Sequence, residues 1–338
     1  MCPVLGEPYA SVYNSFLEYE KLRVSEQGYQ TIKTIAYRVI KWHENKGLPF
    51  EQVNMRDILS FKKDISERTN KNGNLISNGT VCNYIKAARR LYKFLMASEK
   101  VRTNPFYELS YPRNTEHISR NVLTESQMNR LLGKMQEFDR AENRKRKYRR
   151  YLFHVLAEVL YATGLRIDEA CQLHTEDVDV RHRYVYVKNG KGGKDRTAFL
   201  TGYAADILAL YIEKGKTSID TLLYGGRQAL LFSNKKDTLA QAFNKELRRL
   251  CTELELPVIT SHAFRHSLGT HLLRAGCDMR HIQVILGHDK LSSTQIYTKV
   301  YSDDLKQSLD EYHPRQRMKG FNNGSTGIKS IYFEADKR

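Results

Sequence analysis

The stretch that most confines this 338-residue chain is Tyr151–Thr163. It is apolar around nearly the whole circumference of a helix, so it must be buried and not laid on a surface. Gly164 breaks it, and Leu165 and Arg166 follow directly. An arginine opening the next helix would ordinarily serve a local salt bridge, here to Asp168 or Glu169. Its company changes that reading. Gly190-Lys191-Gly192, Ser261-His262-Ala263-Phe264-Arg265-His266, Leu286-Gly287-His288 and Tyr297 follow in order.

Together these residues suit a phosphodiester-handling site that needs no metal. A phosphodiester in transfer gains negative charge on its non-bridging oxygens. Guanidinium forks match that geometry and stay charged at any working pH. A tyrosine hydroxyl, with a reference pKa of about 10, needs neighbouring cations or a base before it attacks. The leaving sugar oxygen needs a proton, which lysine or histidine can give. Arg166, Lys191, His262, Arg265, His288 and Tyr297 cover these roles.

The same residues resemble the catalytic region of tyrosine recombinases, the phage-integrase family. The resemblance lies in His-x-x-Arg, Leu-Gly-His and a tyrosine nine positions after that histidine. Ala162-Thr-Gly-Leu-Arg-Ile-Asp-Glu is similar to the first arginine motif of the family, and Gly190-Lys-Gly-Gly-Lys-Asp-Arg to its β-hairpin lysine. The run from Leu286 to His313-Pro-Arg315 resembles the bacterial Xer-type members in particular. The resemblance implies Tyr297 as nucleophile with Arg166, Lys191, His262, Arg265 and His288 around the phosphate. Lys194 is the weaker candidate in the same turn as Lys191. It also implies strand exchange through a 3′-phosphotyrosine, a homo-tetramer on two DNA sites, a Holliday junction, C-terminal helix exchange between protomers and room for an accessory protein. No cofactor or metal is expected. The competing readings are a type IB topoisomerase-like relaxing enzyme, a catalytically silent DNA-binding regulator and a generic helical interaction protein.

Charge agrees with a polyanionic partner: 55 Lys and Arg against 38 Asp and Glu give a formal +17. No apolar run is long enough to span a bilayer, and the N-terminus lacks the basic-then-apolar layout of a signal peptide. The expected location is therefore cytoplasmic. Five scattered cysteines without a Cys-x-x-Cys pair read as reduced thiols with no zinc site.

The expected fold is mainly α with a small β-sheet. An N-terminal helical core-binding bundle (1–110) precedes a linker (111–121), an α+β catalytic domain (122–315) and a flexible tail (316–338). Helical periodicity marks Tyr9–Leu22, a helix from about Gln30 to Gly47, a capped one from Val53, and one capped by Thr80 that ends at Asn104-Pro105. The polar faces of this bundle carry Lys86, Arg89 and Arg90. By composition they are solvated; by resemblance they clamp DNA. Thr124 and Gln127 form a capping-box pattern. Arg140–Arg150 is strongly basic, either a DNA-backbone contact or a solvated loop or helix extension. Tyr184–Val187 and Thr197–Leu200 alternate as a hairpin. Ala204–Lys214, Thr238–Leu254, a helix opening at His262, one ending at Gly287, and Val300–Tyr312 complete the series. His266 and His271 read as structural.

Overall fold

A computed structural model describes residues 5–24, 26–70, 73–112, 122–137, 143–188, 195–232, 236–287 and 300–317. The chain divides into two compact units, 1–118 and 119–338.

The first unit is helical: α1 (Tyr9–Lys21), α2 (Glu26–Lys46), α3 (Met55–Ser66) and α4 (Asn78–Ala97). The second helix starts four residues before the expected Gln30. Asn54 caps α3 in a reciprocal box with Asp57, and Ser77, not Thr80, caps α4 by accepting from the Thr80 amide. Capping satisfies amides that have no partner inside the helix. Phe16, Ile40, Ile58, Phe61, Leu91, Tyr92 and Phe106 are fully buried in one core. Each such side chain contributes about 2–3 kcal/mol by leaving water. His43 lies among them, with Nδ1 3.3 Å from the Leu48 carbonyl, and burial pushes its pKa down to about 4.

The second unit opens with α5 (Glu125–Gln136), which carries the expected Thr124–Gln127 capping box. Next comes α6 (Arg144–Thr163), capped by Asn143. Every residue from Tyr151 to Thr163 is buried, so residues 144–150, the part of the basic run within the described helix, are the more exposed start of a helix whose remainder is the centre of the core. Arg140 lies outside the described residues. His154 and Glu158 sit side by side in that buried stretch. Glu158 accepts from Arg315 through two guanidinium nitrogens and lies 3.3 Å from His154 Nε2. A short α7 (Ile167–Ala170) follows. The strands β1 (Val178–Asp179), β2 (Tyr184–Val187) and β3 (Arg196–Phe199) form an antiparallel sheet in that order, with Val187 opposite Arg196. The sheet has one strand more than the hairpin expected.

Helices α8 (Gly202–Leu210) and α9 (Lys216–Tyr224) are joined by a wide turn at Tyr211–Gly215. The last of these helices was not legible in the sequence pattern. Helices α10 (Lys236–Glu253), α11 (His262–Ala275), α12 (Met279–Leu286), α13 (Val300–Tyr312) and α14 (Pro314–Arg317) complete the unit. Leu305 and Leu309 join the same core as α6. Gln316, placed in the tail by sequence, belongs to α14 and donates to Asp310. His271 bridges the Tyr161 hydroxyl and the Leu123 carbonyl at 2.7 and 2.8 Å. Among the described residues, no helix is long and apolar enough to cross a membrane.

Candidate active site

The end of α6 sets the geometry. Gly164 takes the left-handed conformation (φ 63°), which costs a residue with a Cβ about 1–2 kcal/mol. There is also no room for one: a Cβ here would lie 2.7 Å from Leu286 Cδ2 and 3.1 Å from Leu268 Cδ2. The motif leucine before Gly287 is thus packed onto the motif glycine before Arg166. The turn leaves the Gly164 carbonyl facing α11, where Arg265 donates to it from Nη1 at 2.7 Å.

Arg166 forms the N-cap of α7. Its amide donates to Glu169 Oε2 (2.9 Å) and its Nη1 to Glu169 Oε1 (2.8 Å). The salt bridge expected of a lone arginine therefore exists, to Glu169. A second arginine shares the same carboxylate: Arg196, the first residue of β3, donates from Nη2 to Glu169 Oε2 at 2.9 Å. Burial pushes the Glu169 carboxyl up, but Arg196 and then the hydrogen bonds from Arg166 outweigh it and hold it below the usual range.

Arg265 is the most enclosed of the three arginines, at 7% exposure. Burial, then the charges of Arg166 and Arg196, push its pKa down to about 10, so it remains a cation at neutral pH. Its Nη2 is buried and has no hydrogen-bond partner among the described residues; the same holds for Nε and Nη1 of Arg196. Two guanidinium groups bond one carboxylate and Arg265 adds a third charge with an unused donor, an excess of positive charge suited to an anion. His262 begins α11, three residues before Arg265, and is exposed.

Lys191, Lys194, His288 and Tyr297 lie outside the described residues. Their neighbours are defined: β2 and β3 flank the segment with both lysines, and Gly287 ends α12 one residue before His288. Arg196 is what the sequence reading missed; Glu169 stood there only as one of two salt-bridge partners for Arg166. Arg196 stood in view as the last residue of the Gly-Lys-Gly-Gly-Lys-Asp-Arg motif, but nothing local marked it for a carboxylate on another element.

The DNA-contact candidates of the first unit differ among themselves. Lys86 is exposed on α4. Arg90 pairs with buried Glu20 at 2.6 Å. Arg89 is held internally, donating to the carbonyls of Phe106, Leu109 and Tyr107 and to the Tyr111 hydroxyl.

The profile of the phage integrase family matches residues 121–303. Tyrosine recombinase XerC of Bacillus pumilus (strain SAFR-032) is 29% identical over 319 residues, covering 89% of this chain and 95% of that protein. The structure of the Tn1549 transposon integrase in complex with a circular intermediate DNA is similar, with a TM-score of 0.64 and 17% identity over 96% of this chain and 99% of that one. A lambda integrase tetramer bound to a Holliday junction has a TM-score of 0.58 and 15% identity over 86% of this chain and 79% of that one. These two likenesses bear on the fold. The chain belongs to the phage integrase family: it is a tyrosine-type site-specific recombinase, an enzyme that breaks and rejoins DNA.

Proposed function

We propose that Tyr297 is the nucleophile and that Arg166, Lys191, His262, Arg265 and His288 complete its site. The observation that carries this reading is the arginine cluster, in which Arg265 is tied to the carbonyl two residues before Arg166 and keeps an unused buried donor. Tyr297 Oη attacks the scissile phosphorus while the bond to the 5′-oxygen breaks. His262 takes the tyrosine proton, Lys191 gives one to the leaving 5′-oxygen, and His288 adds a hydrogen bond. Arg166 and Arg265 hold the non-bridging oxygens. The product is a 3′-phosphotyrosine and a free 5′-hydroxyl. A 5′-hydroxyl from a second DNA then reverses the step and completes strand exchange. The bond energy stays in the covalent link, so the cycle needs no nucleotide triphosphate.

The assembly we propose is a homo-tetramer on two double-stranded sites passing through a Holliday junction, in the cytoplasm, with room for an accessory protein. Helix exchange between protomers would require the Leu305, Leu309 and Arg315–Glu158 contacts to be remade across the interface. Likeness to XerC along nearly its whole length supports Xer-like resolution. The basic start of α6 supports mobile-element integration or excision. Sequencing DNA trapped covalently on the protein separates them: a site beside its own gene indicates integration, and one near the replication terminus indicates resolution.

The test of the chemistry is a nicked suicide substrate. The Tyr297→Phe variant should bind DNA and form no covalent adduct. Trapping by that variant would overturn the assignment. Relaxation of supercoils without recombinants would favour a topoisomerase.

A further inference from the structure

The three arginines around Glu169 are not equivalent. Arg265 keeps an unused donor in the site proposed above, and Arg166 opens α7 beside it. Arg196 arrives from the sheet, on β3, and meets two other elements. Its Nη2 holds Glu169 Oε2. Its stem lies under Gly287: a Cβ there would sit 2.8, 3.0 and 3.1 Å from Arg196 Cδ, Nε and Cζ. The Glu169 bond at Nη2 and the cover of Gly287 over Cδ, Nε and Cζ hold this guanidinium against the protein.

The carboxylate it holds is shared. Glu169 Oε1 takes Arg166 Nη1, while Oε2 takes the Arg166 amide and Arg196 Nη2. A carboxylate held by a single arginine tends toward a two-pronged pair that uses up that arginine's charge and donors. Competition from a second guanidinium prevents this. We infer that Arg196 is a positioning residue of the recombination site: by sharing Glu169 it keeps the Arg166 guanidinium oriented and only partly neutralised, available to the phosphate, and by supporting Gly287 it fixes the end of α12 against the same cluster.

This rests on the reading that Arg166 and Arg265 stabilise charge on the non-bridging oxygens. A substrate in which one of those oxygens is replaced by methyl therefore discriminates. Such a methylphosphonate is neutral and has less charge for the arginines to stabilise. The full-length Arg196→Ala protein should bind its DNA site within about threefold of the parent, since Arg196 is engaged by Glu169 and Gly287. Its single-turnover cleavage of the ordinary phosphodiester should fall about 100-fold, the scale of losing one preorganised donor. On the methylphosphonate the deficit should shrink to less than about tenfold. Arg196→Lys, which keeps the charge but not the fork, should fall between, and serves as the test protein if the alanine variant does not fold. Equal losses on both substrates would mean a structural role only and would overturn the inference, as would no loss at all. Arg166→Ala is assayed beside them. If methylphosphonate relieves Arg166→Ala but not the Arg196 variants, the positioning role alone fails. If it relieves neither, the reading of Arg166 as a phosphate clamp fails with it.

Discussion

Arg89 in the helical unit and Arg265 in the catalytic unit are both arginines drawn into the protein, and they are treated in opposite ways. Arg89 uses Nε, Nη1 and Nη2 on four acceptors at 2.7–3.3 Å, three of them carbonyls of 106–109. Asn104 donates back to the Arg89 carbonyl at 2.8 Å. It straps the chain leaving α4 onto that helix. Arg265 has one acceptor and a buried nitrogen with none among the described residues. An unmet buried donor costs about 1–3 kcal/mol, and more when charged. A fold tolerates that cost where an anion later supplies the partner. Charge and residue type are the same in the two regions; the completeness of the hydrogen bonding separates a strap from a site.

The largest expected effect tests that contrast directly. Arg265→Ala should lower single-turnover cleavage by about 10³-fold while leaving the melting temperature close to the parent or above it, because an incompletely bonded buried charge is removed. A marked drop in melting temperature would place Arg265 with the straps. Arg89→Ala should do the reverse. It should destabilise the helical unit by about 2 kcal/mol, since the part-buried carbonyls of Phe106 and Leu109 lose their donor. Differential scanning calorimetry would show this, and unchanged unfolding would make Arg89 available for DNA.

Acid should reach both units alike. Burial pushes His43 in one and His313 in the other down to about 4. The unfolded chain takes up these protons near pH 6.5, the folded chain only near pH 4. Their contribution is therefore complete above pH 6.5, is lost as pH falls toward 4, and does not fall further below that. Each histidine contributes roughly 3 kcal/mol over this window. Replacing either with a neutral isostere should flatten the stability–pH curve; a slope unaffected by both replacements would contradict the assignment.

Two glycines give a matched pair. Gly47 (φ 58°) and Gly287 (φ 64°) share a left-handed backbone, but a Cβ at Gly47 meets nothing within 4 Å whereas at Gly287 it meets Arg196. Alanine at Gly47 should cost about 1–2 kcal/mol of stability, and at Gly287 more, because Arg196 must also shift. Only Gly287→Ala should also slow cleavage, and equal cleavage rates in the two variants would separate Arg196 from the chemistry. The smallest effect belongs to Lys86. If it touches a phosphate, Lys86→Ala should lower the salt slope of DNA binding by about 1, with no change in cleavage at saturating protein.

Local pattern was enough to announce the buried stretch of α6, the capping box of α5, the β2–β3 hairpin and the start of α11 at His262, because each depends on neighbours within one or two turns. It also placed Arg166 and Arg265 in order with the rest of the family's motif residues. It did not announce α9. There, buried Lys216 reads as a surface lysine until its ammonium is seen on Asp220 and the carbonyls of Gln228 and Leu230. Nor could it rank Arg89 against Lys86, which lie three residues apart on one helix.

The amino-acid sequence by itself determined most of the helices, which follow from periodicity, and, through resemblance, the family and the identity of the motif residues. Only the tertiary structure decided that Arg166 and Arg196 share one carboxylate, that Arg265 keeps an unused donor and that Arg89 does not. Those outcomes depend on burial and on partners up to 101 positions away along the chain, and desolvation and hydrogen-bond completeness are properties of the packed neighbourhood, which no local pattern encodes.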